Sequence, residues 1–270
     1  MPRISLSASL FLGLLACCAA GCTAVRQEVG SSPASPPPFL PVGQAGRAVL
    51  FCADGAGNTA GCSAAFRQAV ADERLPLCVE TVAWSYGPYR FLADEMNYRH
   101  AREAGCRLAA QVAAYRQACP DGTVYLAGHS AGSAVVLAAA ENLPPGSVED
   151  IVLLAPAVSA GYDLRPALHT SRRGIDVFCS ERDWAVLGLG VGIVGTTDRR
   201  WSAPAGRVGF KPVAALAQDA ALYCRLREHR WDPSVTWTGN YGGHFDTYEQ
   251  PCYLRAYVLP VLAPGEVPPR

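Results

Sequence analysis

One pentapeptide in this 270-residue chain has the residue types for nucleophilic catalysis: Gly128-His129-Ser130-Ala131-Gly132. It fits Gly-x-Ser-x-Gly, a spacing that suits a strand-to-helix turn tight enough to hold its serine in a strained conformation. A Cβ at either glycine would obstruct neighbouring backbone, so the motif implies close approach on both sides of Ser130. A serine hydroxyl is a weak nucleophile at neutral pH. It needs a base within hydrogen-bond reach, and the base needs a partner that fixes its tautomer and stabilises the imidazolium. His129 adjoins the serine, and its side chain is expected to point away from the hydroxyl.

The flanking segments have the character such a turn needs. Thr123 to Ala127 is a short β-branched and aromatic run preceded by the turn signal Pro120-Asp121-Gly122, and reads as a buried strand. Ser133 to Ala140 is small and apolar throughout, suiting a helix packed deep against a sheet. The Ser130 hydroxyl then lies at a helix N-terminus, where amides favour developing negative charge. Upstream, Arg47 to Ala53 reads as the first strand, Ser63 to Arg74 as a helix and Leu77 to Trp84 as a strand. A helix is expected over Leu92 to Ala118, with Met96, His100, Leu108, Val112 and Tyr115 inward. Downstream, Val148 to Ala155 and Gly174 to Cys179 read as strands and Lys211 to Glu228 as a helix ending near His229. Ser234 to Thr238 reads as the last strand and Tyr248 to Leu262 as a closing helix. This alternation predicts an α/β architecture: a mostly parallel central sheet with helices on both faces.

The elbow and its setting resemble the α/β-hydrolase superfamily, over roughly Gly46 to Leu262. The resemblance implies the α/β-hydrolase fold, here with no room for a large lid domain. It also implies a triad in the chain order Ser, Asp, His. The superfamily's acid lies in the loop after the second strand beyond the elbow, where Asp183 stands; Glu181, Asp176 and, after the preceding strand, Asp163 are rivals. The base follows the last strand, which selects His244 in the glycine-rich loop Gly239 to Phe245. The oxyanion donors are expected at the amides of Ala131 and Ala56. The loop carrying Ala56 reads Asp54-Gly55, where the superfamily often has His-Gly. The expected reaction is hydrolysis of a carboxylic ester, small or lipid-like, through an acyl-Ser130 intermediate, with no metal or organic cofactor. Thioester hydrolysis or acyl transfer on the same triad, and a non-catalytic binding role for the fold, remain alternatives.

The rest of the chain bounds location and partners. One basic residue, an apolar run from Ile4 to about Ala20 and then small residues read as an export signal. Ala19-Ala20-Gly21-Cys22 resembles a bacterial lipobox, with Cys22 as the lipidated residue; Leu14-Leu15-Ala16-Cys17 makes Cys17 the alternative. The expected divisions are a lipoprotein-type signal over 1–22, a Pro/Ser-rich tether over 23–46 and one domain over 47–264. The expected location is the bacterial cell envelope, anchored to a membrane by lipid, or else secretion. Charge balances at 23 basic and 23 acidic residues, and no basic patch recommends nucleic acid. Eight of the eleven cysteines follow the leader, which suggests disulfides, with Cys52–Cys62 the best single pairing. Cys106 and Cys119, on one helix, stand too far apart to pair. Gly190 to Gly195 matches Gly-x-Gly-x-x-Gly but follows an acidic loop instead of a strand, so a nucleotide site is not expected.

Overall fold

The computed structural model describes residues 48–57, 60–88, 90–184, 186–187, 195–213 and 216–262. The leader, the tether, Cys17, Cys22 and most of the Gly190–Gly195 motif lie outside the described residues. Among the described residues six strands form one sheet: β1 (Ala48–Ala53), β2 (Leu77–Thr81), β3 (Val124–His129), β4 (Asp150–Leu154), β5 (Ile175–Cys179) and β6 (Leu226–Arg230). Their order is β2-β1-β3-β4-β5-β6, and every neighbouring pair is parallel. The sheet is the α/β-hydrolase arrangement, and it puts the end of β3 at its middle.

Both faces are apolar, as a covered parallel sheet requires. Val49, Phe51, Leu126, Ile151, Leu153 and Val177 point to one face. Leu50, Cys52, Tyr125, Val152, Leu154 and Phe178, one residue out of phase, point to the other. Helices α1 (Gly61–Asp72) and the C-terminal helical segments cover the second face through Phe66, Val70, Leu254 and Val258. Three further helices serve the argument: α2 (Phe91–Met96), α3 (Tyr98–Ala118) and α4 (Gly132–Glu141). Helix α4 is buried from Gly132 to Ala140, between the sheet and α3. Its alanines let α3 come close: a Cβ on Gly105 would stand 2.5 Å from the Ala138 Cβ.

Four expectations need correction. The helix expected over Leu92 to Ala118 is two helices broken at Asn97, whose side chain caps α3 by accepting the His100 amide at 3.0 Å. The break turns α2 so that Asp94 faces inward and Met96, expected inside, is 48% exposed. Among the described residues, Lys211 to Glu228 is helical over Ala217–Tyr223, and the last strand is β6, on which His229 lies mid-strand. That strand reads Leu-Arg-Glu-His-Arg because it is the sheet edge, where charge discourages further pairing. Arg227 meets Asp150 at 2.9 Å and also pairs with Asp176, while His229 Nε2 meets Asp176 at 2.6 Å. Ser234 to Thr238 belongs to a 3₁₀ turn, Pro233–Thr238, opened by Asp232 accepting the Ser234 amide at 2.8 Å. The closing helix is interrupted at Gln250–Pro251 and continues as helical segments to Leu262.

Candidate active site

Ser130 follows β3 directly and adopts φ +51°, the left-handed region that a non-glycine residue occupies only when its surroundings impose it. Those surroundings are on both sides. The Ser130 amide donates to Leu154 O at 3.0 Å, and its carbonyl accepts from Ser133 and Ala157 at 3.1 and 3.2 Å. A Cβ on Gly132 would come within 2.5 Å of the Asp54 carbonyl, and one on Gly128 within 2.8 Å of Ser133 Cα. The motif's glycines therefore pass the elbow between β1 and the first turn of α4.

Asp183 and His244, 61 residues apart in the chain, meet: His244 Nδ1 and Asp183 Oδ2 are 2.5 Å apart, with both side chains almost wholly buried. Asp183 sits in the turn after β5, its amide donating to Ser180 O at 3.1 Å and its second oxygen accepting the Leu187 amide at 3.3 Å. His244 arrives on a loop with Gly239 and Gly242 both at φ +87°. A Cβ on Gly242 would stand 2.5 Å from Ser180 Oγ, so the histidine loop rests directly on the aspartate loop. The rival acids are occupied or remote. Asp176 holds the β6 edge, Asp163 pairs with Arg165 at 2.7 Å, and Glu181 is exposed. Among the described residues, none of these three bonds to His244.

His129 links the elbow to the histidine loop. Its Nε2 lies 3.2 Å from the His244 carbonyl, and the two rings are 4.8 Å apart. Burial, and then the charge of His244, push the His129 imidazole well below its usual pKa. It is therefore neutral, and its Nε2–H donates to that carbonyl. The residue beside the serine thus supports the backbone of the histidine. The motif names His129 but carries no sign of this partner.

The loop after β1 is the third component. A Cβ on Gly55 would lie 3.3 Å from the Ser130 Cβ, which places Asp54 to Gly57 alongside the elbow. Trp84 Nε1 donates to the Asp54 carbonyl at 2.8 Å, and the Gly57 amide donates to Asp94 at 2.7 Å. Among the described residues, the amides of Ala56 and Ala131 have no hydrogen-bond acceptor. Glu95 completes the surroundings: it accepts the Thr197 hydroxyl at 2.7 Å, and burial raises its carboxyl to about 7 against the opposing charge of His244. Nothing in the spacing of Asp94, Glu95 or Thr197 marks them, because they reach the site through tertiary packing. Cys52 and Cys62, both buried beneath this loop, have their sulfurs 3.8 Å apart.

Comparison with known proteins follows the same lines. A family model described as alpha/beta hydrolase matches residues 53–181, which span the β1 loop, the elbow and the start of the aspartate loop. No curated protein matches. Among solved structures, a Trichoderma reesei cutinase in complex with a phosphonate inhibitor is 22% identical, over 60% of this chain and 72% of that one, with a TM-score of 0.41. A poly(3-hydroxybutyrate) depolymerase from Bordetella parapertussis is 16% identical over 82% and 80%, with a TM-score of 0.46. A protein from Thermoplasma acidophilum described as a predicted CIB-like hydrolase is 15% identical over 80% and 86%, with a TM-score of 0.42.

Proposed function

We propose, from the alpha/beta hydrolase family model that matches residues 53–181 and from the geometry above, that Ser130, His244 and Asp183 form the catalytic triad of a serine hydrolase acting on carboxylic esters. The observation that carries this reading is the buried 2.5 Å contact between His244 Nδ1 and Asp183, joined to the strained elbow through His129, whose Nε2 lies 3.2 Å from the His244 carbonyl. Asp183 keeps the proton on Nδ1 and leaves Nε2 free to act as base. Ser130 Oγ attacks the ester carbonyl carbon as its proton passes to Nε2. The carbonyl oxygen becomes an oxyanion facing the amides of Ala131 and Ala56. Collapse breaks the carbon–oxygen bond to the alcohol, which leaves with the proton from Nε2. Water, deprotonated by the same nitrogen, then attacks the acyl-Ser130 carbonyl and releases the acid.

Incubation of the purified protein with a fluorophosphonate probe tests the class. An adduct is expected on Ser130, absent from the Ser130→Ala variant. Folded wild-type protein that repeatedly takes no label refutes the reading and favours a binding role. We propose further that the chain is exported and anchored through a lipidated Cys22, or Cys17, on the strength of its leader. Mass spectrometry of the mature N-terminus is expected to find an acylated cysteine; an unmodified terminus beyond Cys22 refutes the anchor.

A further inference from the structure

The oxyanion donors of an esterase act only if they are fixed before the charge develops, within hydrogen-bond distance of where the oxygen will be. One donor proposed above belongs to the elbow, which is rigid. The other, the Ala56 amide, lies on Asp54-Gly55-Ala56-Gly57, a loop whose glycines give it little stiffness of its own. Gly57 even sits at φ +82°, in the region glycine enters freely. Something outside the loop has to hold it.

Asp94 is placed to do so. Its residue is fully buried on α2, and its carboxylate accepts three hydrogen bonds from two chain segments. These are the Gly57 amide at 2.7 Å, the Ser85 hydroxyl at 2.5 Å and the Tyr86 amide at 2.9 Å. Among the described residues no cation pairs with it. A buried carboxylate without a counter-ion is an expensive way to attach a six-residue helix, and an apolar side chain would do that at lower cost. What a carboxylate does better is fix donors, through short charge-assisted bonds with narrow geometry. Here one fixed donor is the amide of the Ala56–Gly57 peptide. Trp84 fixes the other end of the loop at the Asp54 carbonyl, at 2.8 Å, so Ala56 is suspended between two pinned peptides. The Phe91 ring lies against Gly57 and would collide with a Cβ there, closing the outer side.

We propose that Asp94 is a positioning residue for the oxyanion hole, setting the Ala56 amide by clamping the Gly57 amide to the segment after β2. The inference rests on the serine-hydrolase reading above and on Ala56 as a donor. It predicts a loss confined to the transition state. Asp94→Ala is expected to lower kcat on a short-chain aryl ester by roughly 10- to 100-fold, a fraction of the ~10²- to 10³-fold that loss of a whole oxyanion donor costs. KM is expected to stay within about twofold, because the ester ground state does not use the hole. An arylboronic acid, whose tetrahedral Ser130 adduct puts an oxygen in the hole, is expected to bind more weakly by a factor similar to the loss in kcat. Asp94→Asn, which keeps one acceptor, is expected to fall in between.

The comparison variants separate the ways of being wrong. Ser130→Ala with undiminished activity refutes the hydrolase reading itself. Ala56→Pro removes the donor; if that folded variant keeps wild-type kcat, Ala56 is not a donor and the proposal falls with it. If Ala56→Pro collapses while both Asp94 variants keep kcat and boronate affinity within threefold, the clamp alone is wrong. Should neither Asp94 variant fold, amide exchange in the full wild-type chain decides: the proposal requires a protected Gly57 amide, and exchange at the free-loop rate overturns it.

Discussion

Replacing Asp183 by Asn is the sharpest perturbation of the site, because the surroundings dictate which way the new amide points. Asp183 uses its two oxygens differently: Oδ2 meets His244 Nδ1 at 2.5 Å, while Oδ1 accepts the Leu187 amide at 3.3 Å. An asparagine that keeps its oxygen on the Leu187 side presents its NH₂ to His244. Nδ1 must then accept, the imidazole proton moves to Nε2, and the base can no longer take a proton from Ser130. The opposite orientation preserves the tautomer but sets the NH₂ against the Leu187 N–H. That forfeits one hydrogen bond, about 0.5–1.5 kcal/mol, and adds donor–donor repulsion. The unproductive orientation is therefore the majority state. The same swap in a serine protease lowers kcat ~10⁴-fold by enforcing the wrong tautomer. Here a 10³- to 10⁴-fold loss on a short-chain aryl ester is expected, with near-UV circular dichroism unchanged. Glu181→Gln and Asp163→Asn are expected to stay near wild type. A folded Asp183→Asn within tenfold of wild type, with collapse of Asp163→Asn, refutes both the assignment and the orientation argument.

Three shorter predictions rest on other parts of the molecule. Cys52 and Cys62 stand 3.8 Å apart on either side of the loop after β1; peptide mapping of unreduced, denatured protein from an oxidising compartment is expected to recover them as one disulfide-linked pair, and two alkylated free thiols would refute this. Gly105→Ala raises helix propensity by about 1 kcal/mol but drives a Cβ to 2.5 Å from Ala138, an overpacking cost of about 1–3 kcal/mol. Packing therefore wins, and a lower Tm is expected; a higher one would show that α3 moves away freely. Glu95→Gln addresses pH. Burial raises the folded carboxyl from 4.5 to about 7, so the folded state holds the proton more tightly than the unfolded chain does, and wild type loses stability as pH rises through that window. The Gln variant lacks this loss, so its Tm advantage is expected to grow from pH 5 to 8; a pH-independent difference would be the contrary result.

The parts of the fold that could be read from the chain are those where one local pattern coincides with its tertiary role. Strands β1, β3, β4 and β5 are mostly apolar, with Asp150 and Asp176 the charged exceptions, since a parallel strand covered on both faces has no reason to alternate. The edge strand β6 is the exception that misled. Leu226 to Arg230 carries four polar residues because, among the described residues, no strand pairs with its outer side, and Arg227 is held by Asp176 and Asp150, 51 and 77 residues earlier. Ser234 to Thr238 has the β-branched and aromatic content of a strand, yet Asp232-Pro233 just before it closes a tight turn. Propensity lost there to turn chemistry.

The site divides in the same way. Ser130 was legible because its constraint is local, two glycines and a helix start within five residues. Asp183 stands in the turn after β5, where chain order put it, whereas His244 was selected as following a strand over Ser234 to Thr238 that is a 3₁₀ turn, and it meets Asp183 although β6 ends at Arg230. The second layer has no such handle. Asp94 sits in a short helix that the sequence merges with α3, and only the break at Asn97 turns it inward. Its partners are an amide 37 residues upstream and two donors on the segment after β2. His129 was visible as a motif position, but its acceptor is a carbonyl 115 residues away. The elbow announces itself because the glycines that let neighbouring backbone come close to Ser130 are within two residues of it. Asp94 and His129 are placed by distance in space, and the backbone atoms they grip have no residue type to read.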